Sequence, residues 1–373
     1  MGSTIINTYP PTKKMFGDKE VLKEVWNGET VYELATDDEY RLRFVSDKQF
    51  NMKMYSGTIS WNCTKVETST DGRTWTDWDG TLVESAVHDD NKYYLYLRGD
   101  GGTKFTGITS SYQRQNTIVF GDVAPFENCR IKVDGNLWSI LNYSLLKQGL
   151  LGGALKGAFG YLFLGSSRLE DASELKIPIR SEGERVFMNM FKNCTNLLYT
   201  PRSVGATNCT GGYTFYGMFE GCTKITEMPE IYGHIENGLA VNAGSFYHMF
   251  YGCTKLTTLK SFKEITGRYT SSSSGTDVFK EMFTNCTSLA QLPKIYYPYL
   301  DNRNFTSMFQ GCTKIKVSET QDSTYKNEYA IPYNKDGTGD NTTATDIFSG
   351  TGGTFTGSAA FNTTYYTANE VVE

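Results

Sequence analysis

Five segments in the middle of the chain share one order of apolar and polar positions. Each begins with Phe and carries Met, Phe, Cys and an aliphatic residue three, four, seven and ten positions later, with Thr directly after the Cys. These offsets place the apolar side chains on one face of an α-helix, so the pattern predicts short helices of about two turns. The predicted core positions are Phe187, Met190, Phe191, Cys194, Phe215, Met218, Phe219, Cys222, Phe246, Met249, Phe250, Cys253, Phe279, Met282, Phe283, Cys286, Phe305, Met308, Phe309 and Cys312.

An extended stretch follows each predicted helix. Pro201, Pro229 and Pro293 each stand seven residues after a repeat cysteine, where proline cannot continue a helix. A short helix and a short strand cannot bury an apolar face alone, so the copies must stack on one another. Successive cysteines are 28, 31, 33 and 26 residues apart, which indicates that the insertions lie in loops. The sequence therefore predicts a solenoid of short helices and short strands, with its caps, over residues 135–357.

Two degenerate copies flank the five segments. The upstream copy, from Phe159 to Leu169, has Ser166 in the cysteine position, and the downstream copy has Thr351 there. A hydroxyl residue can replace a small buried side chain, but it cannot replace a disulfide partner or a thiolate ligand. The cysteines are therefore expected to form a packed ladder of reduced thiols, and no metal site is expected.

The N-terminal half has the alternation of half-buried strands. Leu42 and Phe44 alternate with polar residues, and the same period recurs at 50–54, 92–98 and 116–120. Short strands at this spacing predict an antiparallel β-sandwich over residues 36–134, followed by a hinge at 133–136. The predicted fold class is α+β and multidomain, with the sandwich ahead of the solenoid.

The two chain ends are predicted as separate segments. Asn27-Gly28 supplies the backbone angles of a tight hairpin, so residues 1–35 are predicted as an N-terminal arm with a hairpin. Such an arm either attaches the chain to a neighbour in an assembly or is a frayed terminus. Residues 358–373 are predicted as a C-terminal tail.

Two short motifs in the N-terminal half have an ordinary structural explanation. The stretch 69–75 is close to an Asp-box, but it occurs once and lacks one residue. It is interpreted as a hairpin turn with Trp75 packed behind it. Arg98-Gly99-Asp100 spells an integrin-binding tripeptide, and it is interpreted as the end of a strand running into a Gly-rich turn.

The repeated unit, Phe-x-x-Met-Phe-x-x-Cys-Thr-x-Leu-x-x-Leu-Pro, resembles the BspA-like leucine-rich repeats of gut bacteria and their phages. The resemblance covers roughly residues 136–357, and Gly352–Phe355 and Tyr365-Tyr366 resemble the closing segment of such arrays. It implies a surface or particle protein concerned with adhesion, including fibre and tail components of phages.

Composition excludes several classes of function. The net charge is −5 without a clustered basic segment, so no nucleic-acid partner is expected. No run of about 18 apolar residues occurs, so membrane insertion is not expected. The N-terminus lacks an apolar leader, which indicates a chain that stays in the cytoplasm or leaves by another route. None of the three histidines stands in a catalytic motif, and we expect neither an enzyme nor a cofactor.

Tyrosines and a histidine near the repeat junctions are the candidate ligand contacts. Aromatic rings with a polar edge stack on sugars and adapt to protein surfaces. The alternative is that these tyrosines pack loops onto the stack. The candidates are Tyr232, His234, Tyr247, Tyr296, Tyr297 and Tyr299.

These features lead to the hypothesis of a phage virion structural protein, a tail or head fibre that mediates attachment to the bacterial host. Its N-terminal region would bind other virion proteins, and the solenoid would bind a glycan or protein of the host surface. A homo-oligomer is expected, assembled in the host cytoplasm and located in the virion. The alternatives are a bacterial cell-surface adhesin and, third, a polysaccharide-acting enzyme based on the Asp-box-like turn.

Overall fold

The structure is a computed structural model that is rich in strands and contains, in its described part, two short α-helices. The strands form several open sheets. The structure describes the backbone of 15–16, 19–20, 23–26 and 29–33, and residues 41–55, 61–105, 117–121, 126–147, 157–177, 183–205, 212–232, 243–262, 276–297, 302–335, 337 and 343–373.

The elements are numbered in chain order. The strands of the first half are β1 (Met15–Phe16), β2 (Lys19–Glu20), β3 (Lys23–Trp26), β4 (Glu29–Glu33), β5 (Leu42–Ser46), β6 (Asn51–Met54), β7 (Lys65–Ser69), β8 (Thr76–Asp77), β9 (Val83–Glu84), β10 (Ala86–Val87), β11 (Tyr93–Asp100), β12 (Ile118–Phe120), β13 (Ile131–Asn136), β14 (Leu169–Asp171) and β15 (Leu175–Lys176). Those of the second half are β16 (Ser203–Gly205), β17 (Glu230–Tyr232), β18 (Gln291–Pro293), β19 (Lys316–Ser318), β20 (Asn327–Tyr329), β21 (Thr343–Ala344), β22 (Gly352–Gly353), β23 (Ala359–Ala360), β24 (Tyr365–Thr367) and β25 (Glu370–Val372). The helices are α1 (Ser139–Lys147), α2 (Asn302–Phe305) and a 3-10 turn (Phe126–Asn128).

Two sheets of the N-terminal half share one apolar core. The larger sheet has the order β14-β13-β5-β11-β7-β8, and the smaller has the order β12-β6-β9. The ring of Phe44 on β5 lies 5.0 Å from the ring of Phe120 on β12, centroid to centroid. The predicted strands around 42–44, 50–54, 92–98 and 116–120 are confirmed. The predicted N-terminal hairpin is confirmed by the antiparallel pairing of β3 with β4, in which Trp26 pairs with Glu29; Asn27 and Gly28 themselves lie outside the described residues.

The larger sheet continues from the N-terminal half into the first repeat. Strand β13 pairs antiparallel with β5 and parallel with β14 and β15. The predicted hinge at 133–136 is therefore wrong, and the predicted boundary at 134/135 falls inside a strand. Beyond the sheet, the N–H groups of Phe105 and Ile118 donate to carbonyl oxygens of the first repeat, at 3.0 and 2.8 Å. The N-terminal half thus covers the first repeat directly.

The extended stretches of the repeats pair mainly in parallel. Strand β16 pairs with β17, β18 with β25 and β19 with β22. Strand β24 adds antiparallel to β19 and β20. The C-terminal residues 358–373 are thus hydrogen-bonded into the last repeats instead of forming a separate tail.

The repeated segments are not α-helices, and the prediction of two-turn helices is wrong. A positive φ angle recurs every fourth residue, as at Arg185, Asn189 and Asn193. A residue in this left-handed region breaks a right-handed helix, so each segment is a run of successive turns. The position before the Cys, or before its Ser or Thr equivalent, is always Gly or Asn, which tolerate this conformation best. These residues are Gly165, Asn193, Gly221, Gly252, Asn285, Gly311 and Gly350.

The backbone N–H groups of each unit alternate between two kinds of acceptor. Those of Phe187, Asn189 and Phe191 donate to carbonyl oxygens of the next unit, at 3.0, 2.8 and 2.9 Å. Between them, the N–H of Met190 donates within its own unit to the carbonyl oxygen of Phe187, at 3.2 Å. The same alternation links seven successive units from Gly157 to Ser349. An α-helix would use nearly all of these donors internally and could not form this ladder.

Two columns of Phe rings and one column of thiols fill the interior of the units. Neighbouring rings are stacked with centroids 5.4 to 5.9 Å apart in both columns. Each of the five repeat cysteines donates its S–H to a Phe carbonyl oxygen of the preceding unit, at 3.0 to 3.2 Å. All twenty core positions taken from the sequence are at most 1% exposed. The seven cysteines in the described part of the chain are free thiols.

The left-handed positions make a stability prediction for Gly252. A Cβ atom at this position would meet no other atom within 4 Å, and φ is 70°. Gly252→Ala should therefore lower the free energy of unfolding by about 1–2 kcal/mol through backbone strain alone. Urea unfolding measures this loss. Gly357→Ala is the control, because its φ is outside the strained range and its Cβ would make an ordinary contact. Equal effects of the two substitutions would contradict the assignment.

The buried thiols make a prediction about chemical reactivity. Burial raises the pKa of the thiols of Cys194 and Cys312 to about 12. Since the thiolate is the reactive form, iodoacetamide at mildly alkaline pH should leave all five repeat cysteines unmodified in the folded protein. Peptide mass spectrometry should find all five alkylated once the protein is unfolded in urea. Modification at equal rates in both states, or disulfide-linked peptides, would refute the thiol column.

Candidate binding surface

The turns project a row of side chains from each unit on the side away from the Phe columns. The residues concerned lie one, two and five positions after the first Phe of a unit. Because the ladder keeps the units in register, equivalent positions of neighbouring units lie side by side. We define the turn-face patch as Lys192, Tyr216, Glu220, Tyr247, His248, Tyr251, Lys280 and Glu281.

The centre of the turn-face patch is aromatic. Tyr216 and Tyr247 occupy the same position in adjacent units, and their rings meet edge to face with centroids 5.1 Å apart. The His248 ring lies 4.2 Å from that of Tyr247 and 4.7 Å from that of Tyr251. The ammonium group of Lys280, from the next unit, lies 5.0 Å from the centroid of the Tyr247 ring. These side chains are half-buried, so each retains surface for contact with a partner.

A chain of charged and polar contacts crosses the patch over four units. His248 places Nε2 2.7 Å from Oε2 of Glu281 and Nδ1 3.5 Å from Oε2 of Glu220. The Nζ atom of Lys192 lies 2.9 Å from Oε2 of Glu220. The His248 side chain is only 17% exposed and lies between two carboxylates. His248 and Glu281 both have left-handed backbone, with φ angles of 58° and 52°.

The electrostatics of the patch follow from burial and hydrogen bonding. Burial alone would raise the pKa of Glu220, but the hydrogen bonds from His248 and Lys192 outweigh it, and the pKa lies below its ordinary value of 4.5. Burial raises the pKa of Tyr216, with a further contribution from Tyr247. The pKa of Tyr247 is raised by burial and by Glu281. Both phenols therefore stay neutral near pH 7 and offer hydroxyl groups for hydrogen bonding.

The structure separates the candidate ligand contacts taken from the sequence. Tyr247 lies at the centre of the turn-face patch. Tyr296 lies elsewhere, with its ring 5.9 Å from that of Tyr333 and its hydroxyl donating to Glu373 at 3.5 Å. Tyr297 is fully buried, and its ring packs 5.5 Å from that of Phe279. Its assignment as a ligand contact is corrected, because successive residues of an extended segment point to opposite sides.

The other three candidates lie partly or wholly outside the described residues. Tyr232 ends strand β17, but only its backbone is described. His234 and Tyr299 fall outside the described ranges altogether.

The part of the chain that the structure describes contains no group of three or more His, Cys, Asp or Glu side chains that could hold a metal ion. No helix within these residues is both long and apolar enough to cross a bilayer.

Most of the patch was missed by sequence reasoning. Tyr216, Tyr251 and Lys280 lie outside the apolar positions that define the repeat, and none of them was a candidate contact. These residues could have been recognised by comparing units with one another, because each lies at the same offset from the first Phe of its unit as a patch residue in a neighbouring unit.

Comparisons with protein families, curated proteins and solved structures find no match for this chain.

The charged contacts predict how stability depends on pH. Because folding lowers the pKa of Glu220, its contribution is present above about pH 4.5 and is lost as the pH falls through the lower folded value. Glu220→Gln should therefore cost roughly 1 kcal/mol of unfolding free energy at pH 7. Urea titrations at pH 7 and below pH 4 should show this difference shrinking on acidification. The control Glu328→Gln changes an exposed carboxylate and should show no such trend. A difference that stays constant or grows in acid would contradict the contact.

Proposed function

We propose that the turn-bearing units form a leucine-rich-repeat-type solenoid and that the two N-terminal sheets form a β-sandwich ahead of it. The unbroken ladder from Gly157 to Ser349 supports the solenoid. The core shared by β5 and β12 supports the sandwich. The membership of the chain in the BspA-like repeats is part of the same proposal, and it rests on the repeated unit itself.

We propose that the chain is a non-catalytic binding protein of a phage virion, a tail or head fibre that attaches to the bacterial host. One observation supports binding above all. The turn-face patch is assembled from four successive units, and its tyrosines, histidine and paired charges form one continuous surface. Tyrosine, an aromatic side chain with a polar edge, is enriched at the centres of protein interfaces. The turn-face patch is the surface we assign to a host glycan or protein.

The remaining parts of the proposal concern assembly. The N-terminal region would bind other virion proteins, and the chain would act as a homo-oligomer in the virion. An oligomer presents several copies of a weak site, which raises the overall affinity without new contacts.

Binding through the patch predicts an effect of Tyr247. Fluorescently labelled protein should bind cells of a susceptible host, and Tyr247→Ser should weaken this binding about tenfold or more, as for truncation of an aromatic interface centre. The matched control is Tyr199→Ser, which removes a tyrosine that is 59% exposed on the strand side of the units. Loss of binding in the Tyr199 variant alone would move the site away from the turn face.

Residence in the virion makes a separate prediction. Mass spectrometry of gradient-purified phage particles should detect peptides of the repeats at a copy number typical of fibres. Absence from the particles, with binding to cells retained, would favour the bacterial surface adhesin. Absence of both would remove the proposal.

A further inference from the structure

A cavity of about 440 Å³ lies in the N-terminal half, away from the turn-face patch. It opens between the β7–β8 turn, strand β11 and helix α1. Its lining includes Arg41, Arg73, Trp75, Arg98, Tyr143 and Lys147. Cavities of this size accommodate small organic ligands, including one or two sugar rings.

The lining of the cavity is strongly basic in a chain of negative net charge. It contains three arginines and one lysine against one carboxylate, that of Asp71, while the whole chain carries −5. The Asp71 carboxylate is held by its own turn. Its Oδ1 atom accepts from the backbone N–H groups of Arg73 and Thr74 at 2.8 and 2.7 Å, and from the hydroxyl of Ser69 at 2.9 Å. Arg73, from the same turn, is exposed, so its guanidinium can contact an anion.

Arg98 is held in place by groups that leave part of its guanidinium available. Its carbon Cζ lies 4.0 Å from the ring centroid of Trp75 and 4.2 Å from that of Tyr143. Its Nε donates to Glu67 at 2.8 Å, and the Glu67 carboxylate is itself anchored by Lys65 at 2.6 Å. The terminal nitrogens of Arg98 make no hydrogen bond to the described residues.

The sequence motifs explain why these groups meet. The Asp-box-like turn at 69–75 is a hairpin turn, as interpreted from the sequence, and it brings Arg73 and Trp75 to the cavity. The tripeptide at 98–100 is part of β11, paired along its length with β7, and its arginine points to the same place. A planar guanidinium fixed between two rings presents its remaining N–H donors in a preset orientation, which suits a planar carboxylate.

We propose that this cavity binds a saccharide that carries a carboxylate. Arg98 and Arg73 bind the carboxylate, and the hydroxyl groups of the sugar ring reach the polar rim. Trp75 and Tyr143 position Arg98 and present ring edges to the sugar. The site is independent of the turn-face patch and of the proposed role of that patch.

Isothermal titration calorimetry with the full chain tests the site. The probes are oligosaccharides that contain glucuronate, galacturonate or N-acetylneuraminate, with a neutral glucose oligosaccharide and inorganic sulfate for comparison. At least one acidic probe should bind, and its affinity should fall as salt is added. Lack of binding by all three acidic probes, or equal binding of the neutral sugar, would overturn the proposal. If sulfate at the same concentration as the sugar competes with it, the cavity is an adventitious ion site only, and the proposal is overturned as well.

Matched variants assign the binding to the cavity. Arg73→Gln removes an exposed cation and should lower the affinity roughly tenfold, the effect of losing one hydrogen bond to a charged group. Arg98→Lys keeps the positive charge but removes the planar guanidinium, and a similar loss of affinity is expected. Thermal unfolding of this variant checks that it still folds. The control Lys326→Gln removes an exposed cation near the C-terminus and should leave the affinity unchanged. Unchanged affinity in Arg73→Gln would place the ligand elsewhere.

Discussion

The division of backbone donors between a unit's own turns and the next unit is the interaction on which the rest of the structure depends. Half of the N–H groups in each turn segment close a local turn, and the other half bond to the neighbour. Local turns alone would leave every second donor unsatisfied in a buried segment, at a cost comparable to a lost hydrogen bond each. A single unit is therefore unstable by itself, and its partners must keep one register.

This register explains the columns of side chains. Once the backbones of neighbouring units are in register, equivalent residues of those units lie next to each other. Each Phe ring therefore stacks on the equivalent ring, and each repeat thiol donates to a carbonyl oxygen of the preceding unit. The ends of the columns are closed by rings at a different angle. Trp138 meets the edge of Phe159 at one end, and Phe361 meets Phe305 at the other. Edge-on rings end a stack because they offer no parallel face to a further ring.

The sequence pattern predicted which repeat residues are buried, but not the backbone conformation of the repeated segments. Offsets of three, four and seven fit an α-helix, and they fit a run of four-residue turns equally well, because both return to the same face after about four residues. The distinction lay in residues such as Asn193 and Gly221, which stand directly before the cysteines and favour left-handed backbone. The strands around Leu42 and Phe44 were recognised because a period of two has fewer structural alternatives.

The two candidate sites could not be derived from local patterns. His248 meets Glu220 and Glu281 only through the register of units with loops of different lengths between them. Arg98 meets Trp75 and Tyr143 because sheet pairing and the packing of α1 bring distant segments together. Both sites depend on tertiary contacts that a single sequence does not encode in any short window.

The variable loops between units of constant turns have a consequence for how such a chain changes over generations. Recombination that duplicates or deletes one whole unit leaves each remaining neighbour with the same set of donors and acceptors. The length of the molecule can therefore change in steps of one unit, while turn-face residues such as Tyr247 diversify without disturbing the Phe columns. A gene of this kind can alter the length of the protein and the residues of its turn face separately.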